Sequence, residues 1–171
     1  PLTNIARLLE MEGGEELMRS KVSRLCLMSG DFRGNGAAEW NVLQDKDASR
    51  VVYERCPVPL TTSGFEVGKE AKYPATSIMN DFGDPVRHPP CVAYSHFLHM
   101  PYDRPTWDLT TVLDAVEPSL GIFARSPKGW IRVDDKGVTT FTEDPEGLHE
   151  YLILDQNQKE RLVNTLVDCV R

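Results

Sequence analysis

The sequence lacks the features that would assign it at once to several large classes of protein. It has no apolar run long enough to cross a membrane, no C-x-x-C pair among its four cysteines, and no P-loop, dinucleotide fingerprint, G-x-S-x-G or H-E-x-x-H motif. Basic residues are fewer than acidic ones: the sequence has 19 Lys and Arg and 26 Asp and Glu, which gives a formal net charge of -7. Binding to a membrane or to a nucleic acid polymer is therefore not expected, and a neutral or cationic small ligand suits this charge better.

Length and composition favour a single globular domain. The 171 residues are 40% hydrophobic and 26% charged, which gives enough apolar material for a core and too little bias for a disordered chain. Because the sequence also contains no internal repeat, we predict one domain over residues 1–171.

Short apolar runs alternate with amphipathic segments along the first part of the chain. Residues 22–28 and 58–62 have the length and apolar content of buried strands, and Asp45 is a suitable N-cap for a helix that ends near Arg55. This alternation predicts an α/β protein with a largely parallel sheet. Residues 64–73 are polar and show no periodicity, so we predict a loop there, at the surface or beside a site.

The remaining segments extend this arrangement. Alternating residues on either side of Lys136-Gly137 predict an antiparallel hairpin appended to the α/β body. Helices are predicted at 2–18, with a break at Gly13-Gly14, and at 89–100, 109–116 and 156–170, and one more strand is predicted at 148–154.

The stretch from Gly34 to Asn41 directly follows the first predicted strand and is rich in polar side chains. Asn35, Glu39 and Asn41 offer two carboxamides and a carboxylate, and Trp40 adds an indole. Asn and Gly also favour ordinary turns, because both tolerate positive φ. Residue types and spacing leave two interpretations open here, a simple turn and a loop that holds a polar ligand.

Five segments, in order along the chain, resemble motifs of the inosine-uridine-preferring nucleoside hydrolase family. The opening PLTNIA resembles the family's PLTN(I/L)A helix start, and LMSG at 27–30 resembles its MGG strand end. GN at 34–35 with AEWN at 38–41 resembles the GN…AEFN ribose-binding loop, with Trp for Phe and a shorter gap. Asp47-Ala48 resembles the following DPEAA segment, and Trp107-Asp108 is similar to the segment that carries the family's calcium-ligand aspartate.

The resemblance implies a fold and a reaction. The implied fold is a three-layer α/β domain with a mostly parallel sheet, helices on both faces and the appended hairpin. The implied reaction is hydrolysis of the N-glycosidic bond of a ribonucleoside to free base and ribose. In that family a bound Ca²⁺ holds the sugar hydroxyls and the attacking water, and nearby oxygens stabilise an oxocarbenium-like sugar. The implied partner is a small-molecule nucleoside.

The matched positions also carry implied roles. Asp108 is expected to be a calcium ligand and, together with Asn35, a catalytic residue. The residues expected to contact the substrate are Met28 beneath the ribose, then Asn35, Glu39, Trp40 and Asn41 around the sugar, and Trp107, whose indole can stack on a base.

Two departures from the family pattern change what is expected of this chain. The family's DxDxxxDD segment, which supplies most calcium ligands and the base that activates water, has no counterpart in the sequence. We therefore expect the C-terminal part of a nucleoside hydrolase-like domain, inactive by itself, that holds Ca²⁺ only together with N-terminal ligands. Second, Trp107 replaces a histidine that protonates a leaving purine in one subfamily, and an indole donates no proton of useful acidity.

Alternatives to a hydrolase stay open at this point. One is a non-catalytic nucleoside- or ribose-binding module that kept the fold and lost the chemistry, and another is an unrelated α/β protein with similar strand and loop ends. The sequence also leaves open the preferred base, the compartment, and whether the chain forms a homo-oligomer or pairs with a complementing N-terminal segment.

Overall fold

A six-stranded mixed sheet forms the centre of the computed structural model, which describes residues 1–34, 36–84 and 86–170. The strands are β1 (Leu25–Met28), β2 (Leu60–Ser63), β3 (Lys72–Tyr73), β4 (Arg104–Pro105), β5 (Ala124–Arg125), β6 (Gly129–Val133), β7 (Thr139–Glu143) and β8 (His149–Ile153). The order in the sheet is β1-β2-β8-β6-β7, with β5 also paired to β8. Strands β1, β2 and β8 are parallel, β5 and β6 are antiparallel to β8, and β3 and β4 form a separate antiparallel pair.

The helices connect these strands, and in the described part of the chain none is long and apolar enough to cross a membrane. They are α1 (Thr3–Glu10), α2 (Gly14–Lys21), α3 (Trp40–Gln44), α4 (Lys46–Arg55), α5 (Phe65–Glu70), α6 (Ala75–Asn80), α7 (Pro89–Phe97), α8 (Trp107–Val116) and α9 (Gln156–Asp168). The predicted cap of α4 is confirmed, because the Asp45 carboxylate accepts a hydrogen bond from the Ala48 N–H at 3.1 Å.

Two apolar cores flank the sheet. In the first, α1 and α4 pack together and α4 lies against β6, with Leu9, Val52 and Ile131 almost completely buried. In the second, α8 packs on β1 and β2 and also contacts α5, and Leu113 and Leu162 are buried there. Helices therefore cover both faces, which confirms the predicted α/β fold class. The predicted hairpin is present as β6 and β7, and it extends the central sheet through the pairing of β6 with β8.

The prediction of a loop at residues 64–73 is wrong, because these residues form α5 and β3. Tertiary contacts stabilise this short helix. Glu66, although charged, is buried and accepts a hydrogen bond from the Phe32 N–H at 3.4 Å. Val67 is buried in the second core. With only six residues and a buried carboxylate, α5 shows no amphipathic period that sequence reading could detect.

His149 strengthens the join between the hairpin and the parallel strands. Backbone pairing of β6 with β8 places Gly129 opposite His149, and the imidazole adds a further link, since its Nδ1 accepts a hydrogen bond from the Ile131 N–H at 2.9 Å. The ring is fully buried beside the rings of Tyr53 and Trp130. Burial lowers the pKa of His149 to about 4, because the imidazolium would lose its hydration.

His149 should therefore make stability depend on pH. Its ordinary pKa of 6.5 applies to the unfolded chain, and a pKa of about 4 applies to the folded chain. At pH values between these two, the unfolded chain binds a proton that the folded chain does not. We expect the free energy of unfolding to fall by up to roughly 3 kcal/mol as pH decreases across this window, measured by urea denaturation. His149→Gln should remove most of this dependence, whereas the matched change of the exposed His99, His99→Gln, should keep it. An unaltered pH slope in His149→Gln would contradict the assignment.

Candidate functional site

Six of the residues predicted for the site line one pocket. The pocket has a volume of about 240 Å³ and is lined by Met28, Glu39, Trp40, Asn41, Phe65, Trp107 and Asp108. Asn35, which is also predicted, lies outside the described residues. The fold thus brings together side chains from separate parts of the sequence, and their roles toward a ligand stay predictions.

These segments meet because the parallel strands end at one edge of the sheet. Met28 ends β1 and lies opposite Ser63, which ends β2. Two hydrogen bonds fasten α8 at the same edge: the hydroxyls of Ser63 and Thr110 are 2.6 Å apart, and the Thr111 hydroxyl donates to the Leu27 carbonyl at 3.2 Å. The first turn of α8 therefore stands beside the end of β1, in the crevice where α/β sheets commonly bind ligands.

Glu39 shapes the pocket from within. It is 5% exposed, and its carboxylate accepts backbone hydrogen bonds from Gly30 at 3.2 Å, Asn41 at 2.9 Å and Val42 at 3.3 Å. It thereby caps α3 and ties this helix to the loop after β1. Burial raises the pKa of Glu39, while the three N–H groups favour its ionised form. About one of the four lone-pair positions of a carboxylate remains for a ligand.

The Asn41 amide is held in a defined orientation by the end of β1. Its Nδ2 donates to the Met28 carbonyl oxygen and lies the same 3.1 Å from the Met28 sulfur. The same amide group carries a carbonyl oxygen, which is a hydrogen-bond acceptor. That oxygen is suited to accept a hydrogen bond from a hydroxyl group.

Aromatic side chains form the other part of the pocket. Phe65 and Trp107 stack with ring centroids 5.6 Å apart, and the Trp107 indole N–H donates to the Phe65 carbonyl at 3.1 Å. Gly68 permits this packing, since a Cβ there would lie 2.3 Å from the Trp107 Cα. Trp40 is 69% exposed, which is unusual for a side chain so large and apolar. The pocket therefore presents aromatic surface beside its polar groups.

Phe65 belongs to the pocket although it was not predicted as a site residue. The sequence predicts residues 64–73 as a loop at the surface or beside a site, and its pattern favours no single residue of that loop as a site residue. The position of Phe65 two residues after Ser63, the end of a buried strand, was the available signal, since residues that follow parallel strands gather at the ligand-binding edge.

The acidic groups of the pocket do not by themselves fit a calcium ion. Asp108 is exposed in the first turn of α8, and Glu39 is largely engaged by backbone N–H groups. Within residues 1–34, 36–84 and 86–170, no group of three or more His, Cys, Asp or Glu could hold a metal. Since Ca²⁺ takes about six to eight oxygen ligands, these residues would need further ligands to bind it.

A second cavity is less suited to a polar ligand. It has a volume of about 310 Å³ and lies among α7, α8 and α9. Its lining is almost entirely apolar, with Leu109, Val112 and Val116 along one side. Ligand sites usually combine apolar walls with a few converging polar groups, and that combination occurs in the pocket beside β1.

The Glu39 contacts can be tested by an isosteric change. In Glu39→Gln one carboxylate oxygen becomes an N–H₂ group that faces a backbone N–H donor, so at least one hydrogen bond to α3 or to Gly30 is lost. We expect the free energy of unfolding to decrease by about 1–3 kcal/mol, measured by urea denaturation. The same change at the exposed Glu10, Glu10→Gln, should alter it by less than about 0.5 kcal/mol. Equal stability of both variants would contradict the role of Glu39 as a cap.

Comparison with known proteins identifies relatives of this sequence and fold. The family model for inosine-uridine preferring nucleoside hydrolase matches residues 1–167. The pyrimidine-specific ribonucleoside hydrolases RihA of Shewanella sp. strains MR-4 and MR-7 are each 34% identical over 116 residues, or 63% of this chain and 34% of theirs. A plant nucleoside hydrolase, PpNRh1, superposes with a TM-score of 0.70 at 23% identity, covering 98% of this chain and 59% of that one. A purine-preferring ribonucleoside hydrolase from Gardnerella vaginalis gives 0.72 at 20% identity, covering 99% and 58%.

Coverage and identity determine what these matches mean. The chain spans 34% of the length of the curated relatives and 58–59% of the two solved structures. At 20–23% identity the structural likeness shows the fold. The family model, in contrast, extends over nearly all of the chain. The chain therefore belongs to the inosine-uridine preferring nucleoside hydrolase family.

Proposed function

We propose that the protein containing this chain hydrolyses the N-glycosidic bond of a ribonucleoside to free base and ribose. The observation that carries the proposal is the pocket at the end of β1, in which residues matched to the family's ribose loop and to its helix-start aspartate lie together. Family membership supports the same class of reaction. The pocket volume of about 240 Å³ is somewhat below the usual range of roughly 300–1,000 Å³ for ligand pockets, so the pocket suits only a small ligand such as a nucleoside.

The polar part of the pocket is proposed to bind the sugar. The Asn41 amide oxygen and the remaining lone pair of Glu39 accept hydrogen bonds from ribose hydroxyls, and Met28 packs against the ring. When the bond to the base breaks, positive charge develops on the sugar, and the carboxylates of Glu39 and Asp108 stabilise it electrostatically. Asn35 is proposed to act with them by its match to the ribose loop.

The aromatic part is proposed to contact the base. Trp107 offers an indole face whose orientation is fixed by Phe65 and Gly68, and Trp40 supplies a second indole at an exposed position. Stacking between aromatic rings is tolerant of ring type, so these contacts suit both purines and pyrimidines.

The calcium part of the proposal is limited to Asp108. Its carboxylate would supply one ligand to a bound Ca²⁺, and the ion would need further oxygen ligands from elsewhere in the protein. The other roles proposed for this chain, the contacts with the sugar and with the base, are made by its own side chains.

Asp108→Asn tests the proposed chemistry without changing side-chain size. The measurement is release of ribose from inosine and from uridine by the protein that contains this chain. Because the change removes a negative charge next to the sugar, we expect kcat/KM to fall by about 10²–10³-fold. Asp168→Asn, a matched change at an exposed position in α9, should leave kcat/KM unaltered.

Calorimetric titration of the unaltered protein with the same nucleosides separates the competing interpretations. Binding together with hydrolysis supports the proposal. Binding without hydrolysis would instead favour the nucleoside-binding module, for which the engaged indole N–H of Trp107 is the supporting observation. If the protein shows no binding and no hydrolysis, that result would contradict both functions.

A further inference from the structure

We propose that Glu66 is a positioning residue for the reaction, because it holds the Gly30–Phe32 segment, which connects β1 to the pocket. The inference rests on the proposed function and adds to it a residue that does not touch the ligand. Glu66 is not among the described residues that line the pocket at the end of β1, and it lines a separate cavity of about 210 Å³. Its effect on a ligand is therefore indirect.

Gly30 connects this segment to two residues of the pocket. Its N–H donates to the Glu39 carboxylate at 3.2 Å, and its carbonyl accepts a hydrogen bond from the Phe65 N–H at 2.8 Å. Glu39 and Phe65 both line the pocket, one on its polar side and one on its aromatic side. A shift of the Gly30–Phe32 segment would therefore displace groups on both sides of the ligand.

Phe32 is the residue through which Glu66 acts on the segment. The Phe32 N–H donates to the Glu66 carboxylate at 3.4 Å, and the Phe32 ring stacks on Tyr151 with centroids 4.6 Å apart. Gly64 makes this contact possible, since a Cβ at that position would lie 2.5 Å from both carboxylate oxygens of Glu66. The carboxylate is thus folded back over Gly64 toward Phe32, where Glu66 is only 8% exposed.

The surroundings of Glu66 disfavour its ionised form. Burial raises the pKa of Glu66, and the Asp31 carboxylate, which is buried as well, raises it further. The N–H groups of Glu66 itself and of Phe32 act in the opposite direction, as does the exposed Arg33 guanidinium. The charged and titratable groups around Glu66 come from three places: Asp31 and Arg33 after β1, Glu70 on α5, which pairs with Arg33, and Tyr151 on β8.

The protonated form of Glu66 therefore suits this position better than the ionised form. The ordinary pKa of 4.5 applies to the unfolded chain, and the pKa in the folded chain is higher. The stabilisation by the protonated group is thus present at acidic pH and is lost as pH rises through the folded pKa. An ionised Glu66 gains hydration by moving outward, away from the Phe32 N–H. We expect the Gly30–Phe32 segment to be held most firmly, and the ligand most tightly, below that pKa.

The first experiment measures KM and kcat for uridine hydrolysis by the protein that contains this chain, from about pH 5 to about pH 8. Glu66→Gln keeps the size of the side chain and cannot ionise. Because other titrating groups affect both proteins alike, the KM of the unaltered protein divided by that of Glu66→Gln reports on Glu66. We expect this ratio to rise by about 3- to 10-fold over the range, since one pKa unit corresponds to a 10-fold change. The same ratio for the exposed Glu10→Gln should stay constant.

Gly64→Ala tests the same contact without removing the carboxylate. Gly64 has an extended backbone with a φ of -74°, which alanine also adopts, so the added Cβ mainly displaces the Glu66 carboxylate from Phe32. We expect KM near pH 5 to be about 3- to 10-fold higher than that of the unaltered protein, with a smaller change in kcat. A purely structural role would instead change the free energy of unfolding and leave KM as it was.

The outcomes separate this inference from the proposed function. Hydrolysis with a KM ratio that does not change with pH would overturn the inference and leave the proposed function intact, and so would an unaltered KM in Gly64→Ala. Inosine replaces uridine if uridine is not hydrolysed. Failure of the unaltered protein to hydrolyse either nucleoside would contradict the proposed function, and the inference with it.

Discussion

The Glu39 carboxylate satisfies three backbone N–H groups, from the loop after β1 and from the first turn of α3, in a place that water scarcely reaches. An uncapped helix end and an unpaired Gly30 N–H would each carry a desolvation cost there. The Glu39 carboxylate therefore helps to hold α3 in its position beside β1. Because Asn41 lies in that first turn and donates to Met28, the polar wall of the pocket depends on it too.

A steric constraint determines the aromatic side of the pocket. α5 and α8 approach so closely at Gly68 that no side chain fits between them, and this contact sets where Trp107 and Phe65 meet. Carboxylate and amide groups thus form one side of the pocket, and aromatic rings form the other. Such a pocket offers a ligand negative charge, hydrogen-bond acceptors and aromatic surface.

Local sequence patterns were sufficient to predict the cap of α4 and the first two strands of the sheet. Asp45 caps α4 as its sequence position suggests, and the strands predicted at 22–28 and 58–62 are present as β1, which is partly buried, and β2, which is buried. The prediction of a loop in place of α5 was wrong because this helix depends on tertiary contacts. In the sequence, Glu66 and Gly68 are typical of a loop, and only the fold shows that they contact Phe32 and Trp107. The site residues were predicted from family motifs. Which backbone groups engage Glu39 could not be predicted, because those partners are determined by the folded backbone.

The hydrogen bonds between α8 and the sheet also affect the order in which parts of the chain fold. The hydrogen bond from Thr111 to the Leu27 carbonyl joins residues 84 positions apart in sequence, and that between Ser63 and Thr110 closes a segment of 47. Closing such long loops costs chain entropy that only long-range packing repays. We therefore expect the two walls of the pocket to come together late in folding, so the appearance of ligand affinity during refolding would report that the whole sheet edge has formed.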